Sequence, residues 1–275
     1  MALQHAAAGA EGLAIVRDQN LEIWQTGGLV GDYLERSDLY PGEERFLSDH
    51  AEELKTARLL DIGVGAGRTT ARFAAAVRDY VGADYSPSMV EAVTRKFAGK
   101  LDNARFEQAD ARNLGNHADG SFDAILFSFN GLDTLGAEER EMFLDEAQRV
   151  LRDRGLLAFS SHNLSALDQV FRFKRARSVT KLIEHTKRKA IQLSRNPPLS
   201  KLMARDWALV YDGTHGKLLR HYYVTPPAQV RQLAEHGFGE IRVIDTKTGD
   251  ELEPDSRAAA GARWPYFFAR AQKRA

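Results

Sequence analysis

Short apolar runs alternate with longer amphipathic segments along most of the chain, which is the pattern of an α/β protein. Strands that alternate with helices favour a mostly parallel sheet with helices on both faces, a doubly wound arrangement. The runs predict a seven-stranded sheet, with strands near 57–62, 80–86, 104–110, 122–130, 155–163, 241–246 and 264–272.

Capping residues mark where several helices begin. Ser86-Pro87 predicts a helix through about Phe97, and Thr225-Pro226-Pro227 predicts another that ends before Gly237. Residues 137–151 carry acids early and Arg149 late, as the helix dipole prefers. Their apolar positions recur at helical spacing and predict a core-facing stripe of Met142, Phe143, Ala147, Val150 and Leu151.

A glycine-rich turn follows the first predicted strand. Asp61 stands at the end of that strand, and Gly63, Gly65 and Gly67 alternate after it before a helical segment begins. Such a turn brings backbone N–H groups close to a nucleotide-like ligand, because glycines leave room for close approach. A dinucleotide fingerprint needs another glycine at the next position, where this chain has Arg68.

Acidic or polar residues end the next three strands as well. Asp84 closes the second strand, Asp110-Ala111 follows the third and Phe129-Asn130 ends the fourth. In open α/β sheets the ligand lies at these carboxyl ends of the strands, and an acid at the second strand can accept hydrogen bonds from ribose hydroxyls.

Taken together, this motif series resembles that of class I S-adenosylmethionine-dependent methyltransferases, closely over 57–163 and more loosely over 222–273. The resemblance implies a Rossmann-like methyltransferase fold whose last strand runs antiparallel to the others. It divides the chain into an N-terminal helical segment (1–55), a cofactor-binding methyltransferase domain (56–164 and 221–275) and a helical lid insertion (165–220).

The resemblance also implies the cofactor, S-adenosylmethionine, and roles for the matching residues. Asp61 would lie near the methionine amino group, and the glycines would pass under the methionine and the ribose. Asp84 would bind the ribose diol, and Asp110 would lie near the exocyclic amine of the adenine. The full set of expected cofactor-binding residues is Asp61, Gly63, Gly65, Gly67, Asp84, Tyr85, Met89, Asp110, Ala111 and Phe127.

The amino-acid composition limits which binding partners are expected. The 275 residues hold 38 Lys and Arg against 38 Asp and Glu, so net charge gives no argument for nucleic acid. Cysteine is absent, which excludes disulfides, cysteine-ligated zinc and a cysteine nucleophile, and this fits a cytoplasmic protein. The sequence shows neither a membrane-spanning run nor a signal-peptide pattern, and we expect no metal site and no membrane partner.

The insertion at 165–220 is strongly basic, with 13 Lys or Arg against 4 Asp or Glu. Three interpretations remain open: a solvated helix face, recruitment of an anionic acceptor, or binding of RNA. Few aromatic residues accompany the basic ones, which weakens the RNA interpretation because stacking platforms are missing. Asn196-Pro197-Pro198 is read as a turn, since base-modifying methyltransferases carry a similar motif after strand four instead.

A methyl transfer to a hydroxyl or an amine profits from a base that removes the acceptor's proton. His162 follows the fifth strand and is the first candidate, and His221 and Asp133 are the others. Trp24, Tyr33 and Tyr40 could line the pocket from the N-terminal segment. The sequence therefore predicts methyl transfer to a small-molecule hydroxyl or amine, hydroxyl favoured because His162 offers a base, with an RNA-directed methyltransferase or RNA-binding protein as the alternative.

Overall fold

The computed structural model describes residues 38–172, 178–213 and 219–273. Most of the predicted N-terminal helical segment, including Trp24 and Tyr33, lies outside these residues. Its described part forms two short helices, α1 (Pro41–Asp49) and α2 (Ala51–Leu54). Glu43 closes the first turn of α1 by accepting a hydrogen bond from the backbone N–H of Tyr40, at 2.8 Å.

Eleven strands form two sheets within the described residues. In chain order they are β1 (Arg58–Ile62), β2 (Asp79–Asp84), β3 (Ala104–Gln108), β4 (Phe122–Phe127), β5 (Leu151–Ser160), β6 (His162–Asn163), β7 (Trp207–Val210), β8 (His221–Val224), β9 (Phe238–Ile244), β10 (Glu251–Leu252) and β11 (Tyr266–Ala271). The larger sheet has the order β10-β9-β11-β5-β4-β1-β2-β3. The strands β1 to β5 pair in parallel, and β11 runs antiparallel to both β5 and β9.

The doubly wound, mostly parallel sheet is confirmed, and so is the antiparallel last strand, but the strand count was wrong. The sheet has eight strands rather than seven. The additional strand is β10, which has two residues and pairs antiparallel with the end of β9. A strand of two residues is too short to show the alternation from which strands are predicted.

Eight further helices join the strands: α3 (Thr70–Ala74), α4 (Pro87–Phe97), α5 (Ala137–Val150), α6 (Leu167–Phe171), α7 (Val179–Arg195), α8 (Leu199–Met203), α9 (Pro226–Glu235) and α10 (Arg257–Gly261). Both predicted starts are confirmed, since α4 begins at Pro87 and α9 at Pro226. The Thr225 side chain caps α9, whereas Ser86 stands at the N-cap of α4 without a capping hydrogen bond from its side chain. Met142 was wrongly expected in the core. It is 49% exposed, because Phe143, Ala147 and Val150 define the buried face of α5 and Met142 lies beside it.

Apolar side chains cover both faces of the large sheet and form the core. One layer centres on Ile125, Leu157 and Phe159, and the other on Leu59, Tyr80 and Leu126. These residues alternate along their strands, so each strand is buried on both faces as a parallel sheet requires. Among the described helices, none is long and apolar enough to span a bilayer.

A second, three-stranded sheet has the order β6-β8-β7 and stands beside the carboxyl ends of the large sheet's strands. Of its three strands, only β7 lies within the predicted insertion. The strand β6 precedes residue 165 and β8 follows residue 220, so both lie outside it. Its apolar face packs on α6 and α8 in a small cluster of its own. The insertion is therefore anchored to the end of β5 through shared strand pairing.

Candidate active site

A cleft of about 440 Å³ lies at the carboxyl ends of the central strands, between the glycine-rich turn and the second sheet. The structure brings most of the sequence-predicted site residues to its walls: Gly63, Gly65, Asp84, Tyr85, Met89, Asp110, Ala111, Phe127, His162 and His221. Three predicted residues lie behind the walls instead. These are Asp61, Gly67 and Asp133, each buried by its neighbours.

The three glycines of the turn have positive φ angles but face different surroundings. A Cβ atom on Gly67 would lie 2.6 Å from the Phe97 ring, and one on Gly63 would lie 2.8 Å from the Phe127 ring. At Gly65 a Cβ atom would meet nothing closer than a backbone oxygen at 4.0 Å. Gly63 and Gly67 thus permit internal packing, while Gly65 presents bare backbone to the cleft.

Asp84 lies at the end of β2, where its carboxylate joins the turn to the start of α4. Its Oδ2 accepts a hydrogen bond from the backbone N–H of Gly65 at 2.8 Å, and its Oδ1 accepts one from Ser86 at 2.9 Å. Burial raises the pKa of Asp84 despite these two bonds. Each carboxylate oxygen can accept a second bond, so the side chain can still bind a hydroxyl in the cleft.

Asp61 is 1% exposed at the end of β1, directly before the turn. Its Oδ2 accepts hydrogen bonds from Thr69 Oγ1 and the Tyr80 hydroxyl, both at 2.6 Å. Its Oδ1 is buried with no hydrogen-bond partner among the described residues. Burial raises the pKa of Asp61 to about 6. An orphaned carboxylate oxygen at this place fits a cationic amino group of a bound ligand.

Two arginines of the site were missed by the sequence reasoning. Arg112 binds both carboxylate oxygens of Asp110, with Nη2 2.7 Å from Oδ2 and Nε 2.9 Å from Oδ1, and so orients this acid at the cleft wall. Arg68, noted only as a departure from the dinucleotide pattern, has its guanidinium carbon 5.1 Å from the centre of the Tyr40 ring and 5.5 Å from that of Phe129. The spacing from an acid two positions earlier was the one available signal for Arg112.

Arg68 also attaches the described N-terminal helix α1 to the cleft. Arg68 donates hydrogen bonds to both carboxylate oxygens of Glu43. One of these oxygens, Oε1, also accepts a hydrogen bond from the Tyr266 hydroxyl. Tyr40 lines the cleft as predicted, stacked on Phe129 with ring centres 5.8 Å apart. The residue just before α1 is therefore part of the wall.

At the other end of the cleft, Asp133 and His162 form a close pair. Nδ1 of His162 lies 2.7 Å from Oδ2 of Asp133, which also accepts the backbone N–H of His162 at 2.6 Å. Oδ1 of Asp133 accepts from Arg140 Nη1 at 2.8 Å and from Ser161 Oγ at 2.6 Å. Burial raises the pKa of Asp133, but His162, Arg140 and Ser161 outweigh it and hold the pKa below its usual value.

The Asp133 carboxylate is fully buried, so it reaches the cleft only through His162, which lines the wall. A carboxylate beside Nδ1 favours the proton on that nitrogen and leaves Nε2 as an acceptor. Nε2 lies 3.4 Å from Asn130 Nδ2, which is consistent with that assignment. His162, held by Asp133, can therefore remove a proton through Nε2 from a group bound in the cleft.

A second histidine, His221 on β8, faces His162 with ring centres 5.4 Å apart. Its Nδ1 lies 3.2 Å from Asp212 Oδ2, which also accepts from the Tyr223 hydroxyl at 3.0 Å. Burial lowers the pKa of His221, but the Asp212 carboxylate outweighs burial and raises it above the usual value. Two His–Asp pairs therefore meet at this end, with their histidines on the paired strands β6 and β8 of the second sheet.

Comparison with known proteins identifies the same fold and domain. Residues 59–155 match the family model described as a methyltransferase domain. A demethylmenaquinone methyltransferase of Clavibacter sepedonicus is 39% identical over 98 residues, 36% of this chain and 38% of that protein. A glycine/sarcosine N-methyltransferase of Parasynechococcus marenigrum is 31% identical over 124 residues, 45% of this chain and 43% of that protein. The chain thus spans less than half of the length of either relative.

Solved structures extend the likeness of fold to most of the chain. An S-adenosylmethionine-dependent methyltransferase from Clostridium acetobutylicum has a TM-score of 0.59 at 13% identity, covering 85% of this chain and 92% of that one. One from Mesorhizobium loti has a TM-score of 0.56 at 16% identity, covering 83% and 97%. Residues 59–155 thus form a methyltransferase domain, and the strand order and the acids at the ends of β1 and β2 agree with the fold of these S-adenosylmethionine-dependent methyltransferases.

Proposed function

We propose that this protein transfers a methyl group from S-adenosylmethionine to a hydroxyl or an amine of a small molecule. The observation that carries the proposal is the open cleft at the strand ends, into which Gly65 presents bare backbone and Asp84 a carboxylate. This is the place where an open α/β sheet binds its nucleotide. When bound, the cofactor supplies a methyl group already activated by its sulfonium.

The residues around the cleft fit the parts of the cofactor. Asp61 has a buried, unpartnered Oδ1 for the amino group, and Asp84 retains acceptor capacity for the ribose diol. Met89 and Tyr85 give apolar contact for the adenine beside Asp110 and Ala111, which the family resemblance assigns to its polar edge. We infer that these residues and the turn, with Gly63 and Gly65 at the cleft wall, hold the cofactor, while Gly67 supports the turn from behind.

We assign the acceptor to the end of the cleft where His162 lies. His162 serves as the base through Nε2, because Asp133 holds the ring and the proton on Nδ1. Asp133 is a positioning residue, since it is fully buried. His221 shares the wall, and because the Asp212 carboxylate raises its pKa, its ring favours bound groups of negative charge more than an unperturbed histidine would.

The basic character of the insertion supports an anionic acceptor. Arg188 of α7 reaches the cleft wall, where its Nε donates to the backbone oxygen of Asp212 at 2.8 Å. Arg263, which precedes β11, lines the same end. A bound carboxylate or phosphate would meet two guanidinium groups there.

The alternative function is that of an RNA-directed methyltransferase, in which the face of α7 away from the cleft would bind the RNA. Lys181, Lys187 and Arg195 are exposed on this helix and do not line the cleft. Phosphate contacts of this kind give salt-sensitive binding. A gel shift at low salt that shows no complex between the protein and RNA would remove this alternative.

Calorimetry with S-adenosylhomocysteine, the demethylated product, tests the cofactor assignment without a known acceptor. We expect binding by the wild type and a loss of about 10- to 100-fold for Asp84→Ala, since hydrogen bonds to a charged group contribute about 1.5–3 kcal/mol. Asp79→Ala is the matched control, because Asp79 begins the same strand at its other end. Absence of binding by the wild type, or equal affinity of Asp84→Ala, would refute the proposal.

Identification of a product tests the reaction itself. Incubation with S-adenosylmethionine and candidate acceptors should give a product heavier by about 14 Da, the mass of an added CH₂, in mass spectrometry. Cofactor binding without any such product, across hydroxyl and amine acceptors alike, would speak for a binding role on the same fold.

A further inference from the structure

Two buried polar atoms of cleft-lining residues have neither a hydrogen bond nor an ion-pair contact among the described residues. They are Oδ1 of Asn130 and Nε of Arg263, and both residues line the cleft. Buried polar atoms in folded proteins are almost always paired, so each exception needs a cause. Since one atom is an acceptor and the other a cationic donor, the two define the chemistry of a ligand that would satisfy both.

Asn130 is held in a costly conformation that orients this side chain. Its φ angle is 58° and that of Phe129 before it is 53°, two consecutive non-glycine residues in the left-handed region. Such strain persists where surrounding structure enforces it and often marks a functional site. Here the Ser160 hydroxyl accepts the backbone N–H of Asn130 at 2.8 Å, so β5 fixes the residue at the end of β4.

The side chain of Asn130 stands next to a second acceptor. Its Nδ2 lies 3.4 Å from Nε2 of His162, a long contact that a donor of the ligand can replace, and the Asp133 carboxylate 2.7 Å from Nδ1 favours the tautomer in which Nε2 accepts. Oδ1 of Asn130 and Nε2 of His162 therefore present two neighbouring acceptors. A single hydroxyl has one hydrogen to donate and can satisfy one of them. A primary amine or a pair of adjacent hydroxyls can satisfy both.

Arg263 favours a hydrogen-bond acceptor on the ligand, whereas Asn130 and His162 favour donors. Its guanidinium carbon lies 5.0 Å from the centre of the Trp264 ring, and Arg263 forms no ion pair with a described carboxylate. Arg188 reaches the same wall from α7. A partly buried guanidinium stacked on an indole and lacking a counter-ion favours an oxyanion of the ligand, whether carboxylate or phosphate.

We propose that the methyl acceptor presents two hydrogen-bond donors at its reacting end, one for Asn130 and one for His162, and an oxyanion at its other end for Arg263. This inference rests on the proposed function and narrows the acceptor to amino acids, dihydroxy acids or their phosphate counterparts. Asn130 and Arg263 are then the residues that determine specificity, one for the donors and the other for the negative charge.

Inorganic phosphate is a probe for the oxyanion site that needs no known acceptor. Titrated into protein saturated with S-adenosylhomocysteine, it should change the fluorescence of Trp264, and Trp264→Phe should abolish the signal. Arg263→Gln should weaken phosphate binding at least about tenfold, as expected for the loss of a charge-assisted bond. Arg205→Gln removes an exposed arginine of the insertion that does not line the cleft, and it should leave phosphate binding unchanged.

Failure of the oxyanion site is distinguishable from failure of the proposed function. If S-adenosylhomocysteine binds but phosphate does not, or if Arg263→Gln binds phosphate like the wild type, the inference about Arg263 is wrong while cofactor binding stands. If S-adenosylhomocysteine does not bind, the proposed function itself is wrong.

A panel of paired acceptors tests the donor site. Amino acids and dihydroxy acids form its two arms, each compared with its neutral ester and with an analogue that carries one methyl group on a donor. We expect products from at least one arm, with both changes lowering kcat/KM at least about tenfold. Asn130→Gly keeps the left-handed backbone but removes the acceptor, so it should erase the preference for two donors while S-adenosylhomocysteine still binds. Equal rates with one donor or two in the wild type would overturn the inference.

Discussion

Asp133 and His162 lie 2.7 Å apart between Oδ2 and Nδ1, and Arg140 contacts the same carboxylate from the side away from the cleft. All polar groups that meet Asp133 donate to it, which stabilises its ionised form. The pair connects the short turn Gly131–Thr134, between β4 and α5, to the strand junction β5–β6. It therefore couples the packing of the domain to the orientation of the proposed base.

Asp133→Asn should lower stability strongly. The change leaves the fully buried Arg140 without its carboxylate, and breaking a buried pair costs about 3–5 kcal/mol. Because the folded pKa of Asp133 is depressed, its contribution is present above the unfolded pKa and is lost as pH falls through the folded value. Chemical denaturation near neutral pH measures the effect. Asp145→Asn, at an exposed partner of His236, should change the free energy of unfolding by less than about 1 kcal/mol.

His162→Gln should lower kcat about 10²- to 10⁴-fold for an acceptor that must lose a proton, since glutamine cannot take it. Affinity for S-adenosylhomocysteine should not change, because the ring lies at the acceptor end. Steady-state kinetics together with calorimetry separate the two effects. His236→Gln, at the C-cap of α9 and outside the cleft lining, serves as control, and an equal loss of kcat there would contradict the assignment.

Cofactor affinity should depend on pH through Asp61. Burial places its pKa at about 6, so the carboxyl in the free protein becomes protonated below that pH and can no longer attract an ammonium group. We expect the affinity for S-adenosylhomocysteine to fall about tenfold from pH 7 to pH 5. Asp61→Asn retains an acceptor for Thr69 and Tyr80, and it should bind more weakly at pH 7 with little dependence on pH. A wild type whose affinity is flat across this range would contradict the role of Asp61.

Two glycines of the same turn should respond differently to alanine. Gly67→Ala forces a Cβ atom against Phe97 and Val93, so we expect a loss of stability of about 2–4 kcal/mol from strain and overpacking together. Gly65→Ala meets open space, and only the strain of about 1–2 kcal/mol applies. Its Cβ atom would project into the cleft and should weaken S-adenosylhomocysteine binding. Thermal denaturation and calorimetry on both variants test this division.

Much of the site was accessible from local pattern. The acids Asp61 and Asp84 and the glycine turn could be located because strand ends and turn residues follow from short-range sequence rules. The same rules predicted that the cofactor acids would gather at one edge, since parallel strands bring their carboxyl ends together. They could not separate Gly65, which faces the cleft, from Gly67, which faces the core, because that depends on where α4 packs.

Other features depend on contacts between residues far apart in the chain. Met142 shares the apolar character of its neighbours, yet it is exposed because none of the described elements packs over that side of α5. Asp133 and His162 are 29 positions apart, and their pairing requires the ends of β4 and β5 to be neighbours. The second sheet joins strands from before and after the predicted insertion, which no local pattern could reveal.

Periodicity and turn chemistry are encoded within a few residues. The amino-acid sequence alone therefore sufficed to predict the α/β architecture, the two helix starts and, through the family resemblance, the cofactor. Burial, pairing and charge balance arise from elements that meet in space. Only the folded chain could decide that Asp133 lies behind His162, that Arg112 orients Asp110, and that Asn130 and Arg263 retain unsatisfied atoms in the cleft. Long-range packing sets these relationships, because the desolvation of each polar group depends on every element that surrounds it.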